Sequence, residues 1–240
     1  QANITSVGTL TGLTVSADAT INGHRVGRGA GNLASNVAVG DDSLENNTTG
    51  GNNTAVGNDA LRSNTTGSNN TAIGENTLDA AQTASNNTAI GSQALNANTT
   101  GGDNTAVGNN ALNANTTGLY NTAVGKQALA ANTTANQNTA IGRSALSVNT
   151  IGANNVAVGD IALTSNTTGS YNTGLGRAAL LANTTGQGNV AVGYQALDAN
   201  TTTSFNTAIG HQSLTANTQS NCTAVGAYSL MSNTTGDYNT

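Results

Sequence analysis

A chain of 240 residues with 7% charged and 2% aromatic side chains, 30 glycines and no proline is not an ordinary globular domain, in which about a quarter of residues are charged. Alanine is the commonest of the apolar residues and buries little area, so a conventional core is hard to build. The net charge of −5 is spread thinly and leaves no basic face for nucleic acid. No apolar run approaches the roughly 18 residues of a membrane-spanning helix.

The chain begins at Gln1 and stops inside a repeat, at Asn239 and Thr240, which reads as a piece of a longer polypeptide. Residues 1–35 form a β-rich leader. In it Ile4, Val7, Leu10 and Leu13 recur every third residue, a spacing that suits neither a helix nor a flat sheet. The Gly-rich stretch Gly27 to Gly31 lacks the lysine and the strand–loop–helix setting of a phosphate loop. It reads as a flexible junction.

From residue 36 to 240 a repeat dominates. The motif Asn-Thr-Ala-Val/Ile-Gly starts at 36 and returns every 17 residues up to 206, then after 16 residues at Cys222, then at Asn239. The consensus is N-T-A-[VI]-G-x-x-[AS]-L-x-x-N-T-T-G-x-x, twelve complete units and a partial one, with leucine at position 9 in every unit from Leu44 to Leu230. Seventeen residues are too few for a helical-hairpin repeat, which needs about 33. They suit one coil of a parallel β-solenoid or β-roll. Thr and Val/Ile at positions 2 and 4 share one strand face and Ala at position 3 takes the other. Gly57 and Gly67, at positions 5 and 15, fit corners with positive φ. Stacked Asn at position 1 forms an amide ladder at about 4.8 Å spacing that pins the register. The 16-residue unit is short by one residue in the turn.

Leu and Ala do not obviously share a face with Val, so a lone chain is expected to leave an apolar stripe along the rod. Self-association of identical chains would cover it. Disorder is the competing reading of so polar a chain, but the regular apolar pattern argues against it.

The repeat is similar to the short repeats of trimeric autotransporter adhesin heads, which form a trimeric parallel β-roll from a Ser-Val-Ala-Ile-Gly strand. It differs in having 17 residues per unit rather than about 14, the extra residues falling in Asn-Thr-Thr-Gly. The leader, residues 3–29, resembles segments of phage tail fibre proteins that precede N-T-A-V-G arrays. Together the two imply an all-β, elongated homotrimer whose leader is interwound among three chains. They imply the shaft of a phage tail fibre on the virion, spacing or presenting a host receptor-binding tip. Its implied partners are two identical chains, other fibre or baseplate proteins, and a host surface glycan or protein reached through regions outside this fragment. No nucleic acid or membrane insertion is expected. A bacterial surface adhesin head is the alternative. An ice-binding solenoid is a remote one, since Val or Ile at position 4 interrupts a threonine array.

The search for chemistry yields no catalytic, cofactor or metal site. His24 and His211 stand far apart in sequence, with no Ser-His-Asp or Cys-His set around them. Cys222 reads as a small apolar filler, with an interchain or reactive role as the other reading. Asp41, Asp42, Glu45, Asp59, Glu75 and Asp79 gather at positions 6, 7 and 10 of the first coils. They read as a solvated corner, against a calcium site for which no ligand loop exists. The Asn-x-Thr triplets match a glycosylation acceptor, although turns and ladders explain them. Four of six aromatics, Tyr120, Tyr171, Phe205 and Tyr238, fall at position 17. They would align as a surface contact stripe, or each would shield the start of its coil.

Overall fold

The computed structural model describes residues 18–240. The Ile4, Val7, Leu10 and Leu13 row lies outside the described residues.

The first described element is an antiparallel hairpin, β1 (Ala19–Ile21) and β2 (His24–Gly27), turning at Asn22 and Gly23. Both turn residues have positive φ, the conformation that an Asn-Gly hairpin supplies. Strand β2 runs antiparallel to β3 (Val37–Val39), the strand of the first coil. The hairpin thereby covers an edge whose N–H and C=O groups would otherwise stand open. The Gly27 to Gly31 stretch is laid across the first coil rather than free. Ala30 N–H donates to the Leu44 carbonyl at 3.0 Å, and a Cβ at Gly29 would meet the Leu44 Cβ at 2.5 Å.

From β3 to β14 (Thr223–Val225) the strands follow one another in sequence order, parallel and in register. Val37 lies beside Thr54 and Thr54 beside Thr71. At the short unit Thr207 still pairs with Thr223, one residue nearer in sequence. This is a parallel β-solenoid of 17-residue coils. Each strand has only three residues, yet rungs are bonded nearly all the way round. Thr122 N–H donates to Asn138 O (2.8 Å), Leu112 to Ala128 O (3.0 Å) and Thr116 to Thr133 O (2.8 Å). In the opposite direction Gly125 N–H donates to Val107 O (2.8 Å) and Gln127 to Asn109 O (3.0 Å).

The coil closes because three of its non-glycine positions, 7, 9 and 17, adopt the left-handed region. Every position-9 leucine has φ between 45° and 55°. That conformation costs an L-residue about 1–2 kcal/mol. For leucine, full burial worth about 1.5–3 kcal/mol offsets it.

Inside the coil lie Ala at position 3, Ala or Ser at position 8 and Leu at position 9, with Ala106, Ala111 and Leu112 all wholly enclosed. A single chain therefore seals its own leucine row, and Leu and Ala do lie on the face opposite to Val. What stays outside is the strand's other face, Thr at position 2 and Val or Ile at position 4. Ile73, Ile90, Ile141 and Ile209 remain exposed.

Two amide ladders run through the interior, where one was expected. At position 1, Asn121 N–H donates to Asn104 Oδ1 (2.9 Å) and Asn121 Nδ2 donates to Ala135 O (2.9 Å). At position 12, Asn115 Nδ2 donates to Asn98 Oδ1 and Asn132 Nδ2 to Asn115 Oδ1, both at 2.8 Å. Rows of hydrogen-bonded buried amides fix register where alanine cannot.

The two glycines of the unit have different reasons. Gly57 at position 5 has φ of 136°. Gly67 at position 15 is not left-handed. It is glycine because a Cβ there would approach Ala84 O to 2.2 Å.

Candidate functional surfaces

The four predicted aromatics occupy equivalent left-handed positions, two residues ahead of a strand for Tyr120, Tyr171 and Phe205, with φ of 59°, 61°, 60° and 55° for Tyr120, Tyr171, Phe205 and Tyr238. Three are held by their backbone: Tyr120 N–H donates to Gly102 O (3.3 Å), Tyr171 N–H to Ala153 O (3.1 Å) and Phe205 N–H to Gln187 O (2.9 Å). These four residues are 60%, 66%, 66% and 77% exposed. They shield little of their coils. Phe205 leans over Gly188, where a Cβ would come within 2.8 Å of its ring.

A second surface is the outer strand face. Positions 2 and 4 carry only Thr, Val, Ile and Leu175 in every coil from Val37 to Val225, with no charge and no amide. Because the strands stack in register, the residues form two unbroken rows along the rod.

The third surface is the corner at positions 6 and 7, which holds a continuous stack that sequence reasoning missed. Arg143 Nε lies 2.9 Å from Asp160, and Arg177 Nε 3.5 Å from the same carboxylate. The Arg177 guanidinium sits 5.7 Å from the centre of the Tyr194 ring. Tyr194 stacks on His211 at 5.2 Å, and His211 meets Tyr228 edge-on at 5.1 Å. Position 6 reads Arg, Asp, Arg, Tyr, His in consecutive units, a signal that could have found the stack. The end of the stack is hidden because Tyr228 stands at position 7 of its unit rather than 6.

Among the acidic residues of the first coils, Arg62 bridges Asp59 and Asp79, each at 3.1 Å. Burial, only partly opposed by Arg62, raises the Asp79 carboxyl above its ordinary value. Asp198 is raised by burial too, against hydrogen bonds from the backbone of Ala199 and its own. Among the described residues no group of three His, Cys, Asp or Glu could hold a metal ion. His24 pairs loosely with Asp41 at 3.9 Å, in a different part of the molecule from His211.

Cys222 replaces an asparagine of the position-1 ladder and is fully buried. Its N–H donates to Asn206 Oδ1 (2.9 Å) and its thiol faces Gly236 O at 3.3 Å. The asparagines of the Asn-Thr-Thr triplets, such as Asn115 and Asn132, are enclosed and bonded. In the folded coil they are closed to modification.

No protein-family model matches the chain, and neither a curated protein nor a solved structure matches it.

Proposed function

We propose that this chain is the shaft of a homotrimeric fibre, of the kind found in phage tail fibres. It serves as a non-catalytic spacer that holds a receptor-binding tip away from a virion. One observation carries this reading: the solenoid seals its core within one chain yet leaves a charge-free strip of β-branched side chains along its whole length. Stripes of this kind mark interfaces, and closed symmetry of identical chains covers them without leaving an open edge. Twelve coils give a strip on the order of 60 Å long, enough to hold parallel rods in contact throughout. The resemblance of the repeat to trimeric adhesin heads and of the leader to tail fibres supports three copies.

Light scattering of the purified chain tests it. The expected mass is three times 23.6 kDa. Charging the strip with Ile90→Asp and Ile141→Asp should return single chains whose circular dichroism is unchanged. A wild-type chain that is folded and monomeric at micromolar concentration would sink the proposal.

A further inference from the structure

We infer that the position-17 aromatics form a docking stripe, within the shaft itself, for an extended neutral polysaccharide. The inference starts from a local cost. Tyr120, Tyr171, Phe205 and Tyr238 all hold the left-handed conformation, which asparagine and glycine adopt more readily than bulky residues do. The first coils place Asn52, Asn69 and Asn86 at this position, and one later coil has Gly188. Leucine at position 9 carries the same strain but is enclosed by the core, whereas these four rings stand mostly in solvent. Apart from Phe205 leaning over Gly188, burial repays little of the choice of an aromatic there. Strained, unburied residues of this kind point to an external partner.

The chemistry of the stripe selects the partner. Coil spacing of about 4.8 Å puts Tyr120 roughly 14 Å from Tyr171, and the next two steps at roughly 10 Å. The rings are thus separated platforms rather than a continuous stack, unlike Tyr194 and His211. Each can take the apolar face of a pyranose ring, the contact an aromatic surface favours. Between residues 119 and 221, positions 16, 17 and 2 carry no charge. Exposed amides at Gln137 and Gln187 lie in the same band and can bond sugar hydroxyls. An anionic or cationic ligand would find no counter-charge there. A long uncharged chain of pyranoses matches both the spacing and the polarity.

The stripe belongs to each single chain, so the inference does not rest on trimer formation. Native gels containing hydroxyethylcellulose, laminarin, soluble starch or yeast mannan provide the test. The wild-type chain should be retarded by at least one of these. The triple variant Tyr120→Asn, Tyr171→Asn, Phe205→Asn should lose that retardation, with its dissociation constant raised at least tenfold. Because asparagine suits the backbone at these sites, the variant should melt no lower than wild type. Absence of retardation by all four polymers, or equal retardation of the variant, overturns the inference. So does a variant that melts lower than wild type, which would make the rings part of the fold. Light scattering of the same samples reports separately on assembly.

Discussion

At the scale of single residues, the position-12 ladder is interrupted twice, between Asn200 and Asn217, whose amide donates to Gln219 O instead, and at Ala81. Ala81 stands where other coils have asparagine and is wholly enclosed. The Oδ1 of Asn64 in the coil before it is buried without a hydrogen-bond partner. In most other coils that oxygen receives the next amide, as Asn98 does from Asn115 at 2.8 Å and Asn132 from Asn149 at 3.2 Å. A buried acceptor left unbonded costs about 1–3 kcal/mol. Ala81→Asn should therefore raise stability by about 1–2 kcal/mol, seen as a higher urea midpoint. A lower midpoint would mean that the site has no room for the amide. Asp198 makes the opposite point. Burial raises its carboxyl, so the folded chain binds the proton more readily than the unfolded one. Its charged form costs stability above the unfolded value, and the cost fades as pH falls through the raised one. Asp198→Asn should melt higher than wild type at pH 7, by about 1–2 °C for a carboxyl still partly in water. The difference should vanish near pH 3, where both carry no charge.

At the scale of the coil, the pairing of glycine with its reason can be checked directly. Gly125 needs both a positive φ and bare space, since a Cβ would lie 2.5 Å from Gly142 O. Gly118 needs only space, and two other coils already place Ala84 and Ala135 at its position, both buried. Gly125→Ala should thus cost more than about 1 kcal/mol, and Gly118→Ala distinctly less, in thermal unfolding. If the two cost the same, the distinction between the corners is wrong. This contrast also shows what the sequence could carry. The 17-residue period, the alternating strand and the Asn121-type ladder follow from rules that act on neighbours or exact repeats. The inward turn of Leu112 does not follow, because two left-handed residues, Gln127 and Leu129 in the next unit for example, re-aim the chain after the strand. Those positions are not glycine and give no local sign. Asn115 reads as turn chemistry for the same reason, although the structure draws it inside. The position-17 aromatics were legible as a row, but their strain and exposure were not.

At the scale of the whole molecule, the solenoid has no long-range core. Each coil touches only the coils before and after it, and stability is close to a sum of coil and interface terms. Length should then be adjustable in whole units and in nothing else. Deleting residues 104–154 removes three units of 17 and brings Asp103 directly before Asn155, so that the strand beginning at Thr88 meets the one beginning at Val156 in the native register. Both amide ladders close across the junction, with Asn155 following Asn87 and Asn166 following Asn98. The shortened chain should fold and shorten the rod by about 14 Å, at 4.8 Å per coil, in small-angle X-ray scattering. Deleting residues 104–146 instead joins Asp103 to Ser147, so position 17 runs straight into position 10. A slip of this kind sends inward side chains outward and leaves ladder amides unbonded. That chain should be insoluble or unfolded although it keeps more residues. Equal solubility of the two deletions would mean that the coils do not hold one another in register.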